Sequence, residues 1–353
     1  MFCYVKPTII LRAVLSGTAQ SVFFKDGFSY SMNAPHFPVM LPQVLAALDP
    51  KPNEVFIDGT LGAGGYASAI LKREPRQLFG FDRDLSAFDL WEDLYGAPPK
   101  NLCFCHAPFG TMVDTLLAKG IRNVDGIVLD LGVSSMQLDQ EHRGFSFGKD
   151  GPLDMRMDQS HGITAAEVVN NFDQGAIADI LWQFGEERKS RQIAKAIVER
   201  RLEKPFRSTL ELADLIRRVV HQRPGTKIDP ATRSFQGLRI FVNDELGELG
   251  RALMAAETLL DDGGRLVVVS FHSLEDRIVK RFLKDRNGKM DMGSRHLPVA
   301  AAAGPKQQTF RALSTKVIKP SLAECEQNPR SRSAVMRAAV RVRNSAKQSR
   351  LES

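Results

Sequence analysis

The most constraining stretch of the chain runs from residue 55 to 82. Val55 to Asp58 (Val-Phe-Ile-Asp) is a short apolar strand followed by Gly59, Thr60, Leu61, Gly62, Ala63, Gly64 and Gly65. An apolar helical pattern follows at Tyr66, Ala67, Ala69, Ile70 and Leu71, then a second strand, Leu78 to Phe81, ending at Asp82. Strand, glycine turn, helix, strand and acid make up a nucleotide-binding βαβ unit, in which the terminal carboxylate accepts ribose hydroxyls. Glycine lets the backbone approach a ligand and take positive φ. The pattern here is Gly-x-Gly-Gly rather than Gly-x-Gly-x-x-Gly, so a pyrophosphate-bearing dinucleotide is not its natural occupant. Asp58 at the strand end would repel a pyrophosphate and suit a cation. S-adenosylmethionine has an ammonium, a sulfonium and no phosphate, so a methyl-donor site is the favoured reading and a nicotinamide dinucleotide site its rival.

The next segments continue the α/β rhythm. Leu102 to His106 alternates, and Ala-Pro-Phe109-Gly110 turns, placing an aromatic where it would pack on an adenine. Cys103 and Cys105 share a strand face, but structural zinc needs four ligands and no second cluster is evident, so no metal is expected. Asp125 to Leu131 is an apolar strand whose acid, Asp130, emerges at its C-terminal edge. In an open parallel sheet that edge faces the ligand crevice.

From Met136 to about Gly237 helical patterns replace the strands. Arg191 to Leu202 sets Ile193, Ala194, Ile197, Val198 and Leu202 on one stripe, and Thr209 to Val220 does the same with Leu212, Leu215, Ile216 and Val219. These stripes predict core, and the opposite basic faces are RNA-contact candidates. The Arg143–Asp158 connection is long, irregular and rich in Gly and charge, as loops at ligand edges often are; Asp154 and Arg156 are candidates for substrate contact, or with Asp158 for pairing as surface salt bridges. Arg233 and Arg239 flank Phe235, a combination suited to phosphate contact and base stacking, with a buried Phe between two surface arginines as the other reading.

Strand character returns at Gly264 to Phe271, with His272 and Ser273 at its C-terminal edge. Ser273 and Asp276 read as a helix N-cap pair, and His272 is aimed at substrate. Residues 293–308 read as a flexible loop, and Phe310 to Ile318 with Ala334 to Val342 as the closing hairpin, its arginines at 337, 341 and 343 decorating an edge near RNA.

Charge bears on the partner. The chain of 353 residues carries +7, and residues 330–350 hold seven Lys or Arg with no acid, so the remainder is neutral. Glu186 to Arg207 adds eight Lys or Arg against four Glu. Two basic runs point to a phosphate-rich partner bound in a salt-dependent way. No apolar run approaches the ~18 residues of a membrane span, and four cysteines suit a reducing cytoplasm. Met1–Ser31 reads as a poorly ordered extension, with translation expected to start at Met32.

Nine stretches, in order from about residue 36 to 343, carry a resemblance. They are His36-Phe-Pro-Val-Met-Leu, Asp58-Gly-Thr-Leu-Gly-Ala-Gly-Gly65 with Asp82-Arg-Asp84, Asp130-Leu-Gly-Val-Ser-Ser135, and Arg143-Gly-Phe-Ser-Phe147. The others are Asp150-Gly-Pro-Leu-Asp-Met-Arg-Met-Asp158, Pro230-Ala-Thr-Arg-Ser-Phe-Gln236, Ser270-Phe-His-Ser-Leu-Glu-Asp-Arg277 and Asn328-Pro-Arg-Ser-Arg-Ser333. Together they resemble the bacterial 16S rRNA (cytosine-N4)-methyltransferases of the MraW or RsmH type. The resemblance implies an α/β fold: a Rossmann-like S-adenosylmethionine-dependent methyltransferase core (residues 32–137 and 238–345) interrupted by a helical RNA-substrate domain (138–237), with a basic tail end at 346–353. It places the donor on Gly64, Gly65, Tyr66, Asp82, Phe109, Asp130 and Gln137, and the target at the N4 amine of a cytosine in the decoding region of 16S rRNA. Tyr66 stands where His is frequent in the family and Gln43 where Glu is; the Tyr66 backbone N–H can still reach the donor carboxylate. Asp130 and nearby backbone carbonyls are the candidate acceptors at the amine, and the resemblance favours an Arg143–Asp158 loop that closes over the active site.

The Pro-Cys pair of pyrimidine C5 methylation is absent, as is the Asp/Asn-Pro-Pro-Tyr-type motif of DNA amine methyltransferases, so a non-duplex RNA segment is the expected target. The small ribosomal subunit is the expected partner, with homodimerisation left open. A non-catalytic assembly factor with a vestigial donor pocket and a nicotinamide-dependent oxidoreductase stay as alternatives.

Overall fold

The computed structural model describes residues 38–221, 225, 228–288 and 307–343. The 1–31 extension, the Met32 start, His36, most of the 293–308 loop and the 346–353 tail lie outside them. The chain divides into two compact units: the first joins the part before Val133 to the part from Glu248 onward, and the second is Val133–Gly247.

The first unit is built on a seven-stranded sheet: β1 (Val55–Asp58), β2 (Gln77–Asp82), β3 (Leu102–His106), β4 (Val124–Asp130), β5 (Leu260–Ser270), β6 (Phe310–Ala312) and β7 (Val335–Arg341). The order is β3-β2-β1-β4-β5-β7-β6. The first five strands run parallel, β7 lies antiparallel to β5, and β6 lies antiparallel to β7. Apolar residues run continuously because both sheet faces are covered. Ile57, Ile127, Leu129, Leu266 and Val268 enter one core. Their strand neighbours Phe56, Val128, Val267 and Val269 enter the other. Strand order reverses beside β1, which pairs with β2 on one side and β4 on the other, so their C-terminal ends flank the switch-point crevice.

The closing segments pair antiparallel as expected, β6 with β7 and Ile318 with Met336, but their connection is more than a turn. β6 is three residues long, and helix Leu322–Gln327 intervenes before β7. Pro320 cannot donate to a ladder, and Ser321 caps that helix by accepting the Glu324 N–H at 3.1 Å. β7 is an interior strand, and its arginines are engaged within the unit. Arg337 binds Asp276 at 2.6 and 3.0 Å, Arg341 donates to the carbonyls of Glu257, Thr309 and Val342, and Arg343 pairs with Asp261 at 3.3 Å. Neither edge decoration nor a free phosphate grip describes them.

The second unit is helical: Ala165–Asn171, Gln174–Gln183, Ser190–Arg201, Thr209–Val219 and Thr232–Val242 surround one core. Thr164 and Glu167 form a capping box at the first of these, and Asp173 and Ser208 cap the second and fourth. The predicted stripes are buried at Ile193, Ala194, Ile197, Leu212 and Ile216. Leu202 is the exception at 83% exposure, because the helix ends at Arg201 and Leu202 is its C-cap. The expected 237/238 boundary falls inside helix Thr232–Val242, whose Phe235 and Leu238 both belong to the helical core.

Candidate active site

Three carboxyls mark the C-terminal ends of three adjacent strands: Asp58 on β1, Asp82 on β2 and Asp130 on β4. The glycine turn is tied to two of them. Asp82 accepts the N–H of Gly62 at 2.8 Å and that of Asp84 at 2.9 Å. Thr60 Oγ1 accepts the N–H of Asp130 at 2.7 Å, which joins the turn after β1 to the end of β4. Gly64 has φ 74, and a Cβ there would stand 2.7 Å from Trp91 Cζ3, so glycine is required twice over. At Gly65 a Cβ would meet Pro38 Cγ at 2.6 Å.

Asp58 is buried and Asp82 and Asp130 are half-buried. Asp58 is fully buried; burial pushes its pKa up to about 7 against the lowering effect of the Thr60 N–H, with the Asp82 charge adding to the rise. Burial likewise pushes Asp82 up to about 6, opposed by the N–H groups of Asp84 and Gly62. Burial, then the negative charges of Asp58 and Glu275, raise Asp130 well above the usual carboxylate range. Asp58 Oδ2 and Asp130 Oδ1 have no hydrogen-bond partner among the described residues. A buried, unpaired acceptor costs about 1–3 kcal/mol, and a cation at the crevice relieves both.

Tyr66 is buried: its hydroxyl donates to the Val39 carbonyl, and after burial the negative charges of Asp130 and Asp58 hold it well above the ordinary phenol range. Its backbone belongs to the first turn of helix Gly65–Leu71. Phe109 opens the turn after β3, half-buried. The other expected residues divide by unit. Gln137 lies in the helical unit, buried, where it caps a short helix with Ser134: the Gln137 N–H donates to Ser134 Oγ at 3.3 Å, and Gln137 Oε1 accepts the Ser134 N–H at 3.1 Å.

In that same unit several substrate expectations change. Phe235 is 3% exposed and packs edge-on against Phe147 at 4.8 Å, so it is core and no stacking platform. Arg239 is paired with Glu245 at 2.7 and 2.8 Å. Arg233 is exposed. Asp154 and Arg156 bind each other at 2.8 and 2.9 Å. Burial works upward on Asp154, but its hydrogen bonds from Arg156 win and hold it below the ordinary value.

The 143–158 connection is anchored at several points. Arg143 Nη2 donates to the carbonyls of Arg156 and Met157 at 3.2 and 2.8 Å. Asn243 accepts from the Met157 N–H at 2.7 Å and donates to the Met155 carbonyl at 2.7 Å. These bonds fasten the connection within the helical unit.

His272 is the N-cap of helix Ser273–Asp285 in the first unit. Glu275, which the Ser273–Asp276 reading passed over, accepts the N–H groups of Phe271 and His272 at 2.7 and 3.2 Å and lies 3.1 Å from His272 Nε2. Glu275 stands three residues beyond the cap, the local signal of a capping box. Asp276 is taken by Arg337. Thr60 was also missed, since nothing local marks a threonine hydroxyl that meets a strand 70 residues away.

An open sheet with this order, and an anionic strand edge in place of a phosphate cradle, define a Rossmann-like methyltransferase. The chain belongs to the MraW methylase family, which it matches over residues 33–342. Proteins called "Ribosomal RNA small subunit methyltransferase H" are similar throughout. That of Rhodospirillum rubrum is 56% identical over 315 residues, 88% of this chain and 96% of the relative. That of Caulobacter vibrioides is 54% identical over 309 residues, 87% and 96%, and that of Paramagnetospirillum magneticum 52% identical over 307 residues, 87% and 96%. The methyl donor is S-adenosylmethionine. The cluster fits that donor, because a sulfonium and an ammonium supply the positive charge that the unpartnered oxygens of Asp58 and Asp130 lack. The oxidoreductase reading is thereby set aside. Among the described residues no helix is long and apolar enough to cross a membrane.

Proposed function

We propose that this chain methylates the N4 amine of a cytosine in the decoding region of 16S rRNA, acting on the small ribosomal subunit in the cytoplasm. The observation that carries the reading is the pair of buried, unpartnered carboxyl oxygens on Asp58 and Asp130 at the strand edge beside the glycine turn. The names borne by the relatives support the ribosomal RNA substrate. In this reading Gly64, Gly65 and the Tyr66 backbone hold the amino-acid half of the donor, Asp82 the ribose and Phe109 the adenine. The helical unit carries the RNA, with Arg233 and the basic 186–207 stretch as phosphate contacts.

S-adenosylmethionine supplies an already activated methyl group, so alignment is the main task left to the protein, worth about 7–11 kcal/mol. The amine lone pair is delocalised into the cytosine ring. Asp130 accepts a hydrogen bond from that amine, which localises the pair on nitrogen. As the N–C bond forms and the C–S bond breaks, the bonding pair leaves with sulfur, and the surplus amine proton passes to an Asp130 oxygen and then to water. A carboxylate whose pKa is raised by burial is a stronger base for this than a solvated one.

Mass spectrometry of rRNA nucleosides from cells lacking the protein tests the reading. N4-methylated cytidine lost from 16S rRNA and restored by the wild-type gene, but not by Asp130→Asn, is expected. An unchanged nucleoside profile overturns it.

A further inference from the structure

The helix Glu245–Leu259 places one carboxylate beneath two of the strand-end turns. Glu248 is 7% exposed. Its Oε2 accepts the backbone N–H of Gly110 at 2.9 Å, directly after Phe109. The same oxygen lies 3.8 Å from Arg83 Nη2, directly after Asp82. Its other oxygen takes Arg251 at 2.5 and 3.2 Å. Fit is close, since a Cβ on Gly110 would stand 2.5 Å from Glu248 Oε2. The two turns are also tied directly, His106 Nε2 lying 3.1 Å from the Arg83 carbonyl oxygen.

We infer that Glu248 is the positioning residue for the adenosine half of the donor site: one buried carboxylate sets the Phe109 turn and the Asp82–Arg83 turn relative to each other. This rests on the donor site proposed above. The physical reason is charge. Glu248 accepts the Gly110 N–H and the Arg251 guanidinium in hydrogen bonds about twice as strong as neutral ones and faces Arg83 as an ion pair at 3.8 Å, so removing it takes the acceptor from the Gly110 N–H and the facing negative charge from Arg83. Glu248 touches no reacting atom, so its loss alters where the adenosine sits and leaves methyl transfer intact once the donor is bound.

Glu248→Ala and Glu248→Gln are compared with wild type by titration calorimetry with S-adenosylhomocysteine and with 5′-methylthioadenosine, which keeps the adenosine half alone, alongside steady-state kinetics. Both ligands are expected to bind Glu248→Ala about tenfold more weakly, roughly the loss of 1.4 kcal/mol, with Glu248→Gln between. The KM for the donor rises in step, while kcat at saturating donor and the KM for RNA stay within twofold. Circular dichroism melts set the folded fraction. If Glu248→Ala binds both ligands as wild type does, or loses kcat with an unchanged donor KM, the inference fails. If wild type binds neither ligand, the donor-site reading fails instead.

Discussion

Asp82 accepts the backbone N–H of Gly62 at 2.8 Å, so a carboxyl at the end of one strand holds the glycine turn that leaves its neighbour. The acid expected to face a ribose is therefore also a structural partner of the loop beside it. Each of its oxygens keeps a lone pair after accepting from Gly62 and Asp84, so both tasks are compatible.

Asp82→Asn tests the double duty. An amide has one acceptor oxygen, so either the Gly62 or the Asp84 N–H faces an NH2 group. Hydrogen bonds to charged groups are worth about 1.5–3 kcal/mol, and a loss of donor affinity of roughly 10- to 100-fold is expected by calorimetry, with the melting temperature lowered as well. Wild-type affinity in this variant would separate Asp82 from the donor.

Donor binding should release protons. Without a cation, Asp58 stays protonated up to about pH 7 and Asp82 up to about pH 6. A bound cation favours the ionised forms, so affinity climbs on the order of tenfold per pH unit for each proton released and levels off above about pH 7. Stability of the donor-free protein runs the other way. These folded-state pKa values lie above the ordinary 3.8, so their contribution is fully present below about pH 4 and lost as pH rises through 6 and 7. The gain in melting temperature on adding S-adenosylmethionine is therefore larger at pH 8 than at pH 5.5. Calorimetry in buffers of different ionisation enthalpy counts the protons, and a count of zero at pH 6 contradicts the assignment.

Gly64→Ala forces a side chain into φ 74 and against Trp91. Left-handed backbone costs about 1–2 kcal/mol and overpacking about 1–3 kcal/mol. A stability loss of about 2–5 kcal/mol in urea melts is expected, with donor binding abolished. Gly96→Ala shares a positive φ but meets nothing within 4 Å, and its loss should be confined to the backbone term.

Phe235 and Arg233 are two residues apart and should separate cleanly. Phe235→Ala empties a core position and is expected to cost about 3–5 kcal/mol, leaving RNA affinity of the folded fraction unchanged. Arg233→Ala, at an exposed position, should leave stability within about 0.5 kcal/mol. In the proposed reading it weakens RNA binding and flattens the salt slope by about one. Filter binding across a salt series reads both, and an RNA defect confined to Phe235→Ala would reverse the assignment.

Local pattern was enough for the strands, the glycine turn and the acids at the strand ends, because burial on two sheet faces imposes continuous apolar runs and a tight turn imposes glycine. Asp58, Asp82 and Asp130 could be singled out from their positions alone for that reason. The helical stripes of the inserted unit were equally readable, since period and burial coincide at Ile193, Ala194, Ile197, Leu212 and Ile216.

Residue chemistry failed as a guide wherever a partner met only in the folded chain decided the outcome. Arg-x-Phe reads as a nucleic-acid grip until Phe147 covers Phe235. Arg239 reads as free charge until Glu245 takes it, and nothing in a charged, glycine-rich connection shows that Asn243 and Arg143 fasten it. Glu248 and Thr60 carry no local mark at all, since what they do depends on a Gly110 N–H 138 residues away and an Asp130 N–H 70 residues away. Periodicity is a property of neighbours along the chain and survives in one dimension. The satisfaction of a buried charge or hydrogen-bonding group is a property of neighbours in space, and folding alone chooses them.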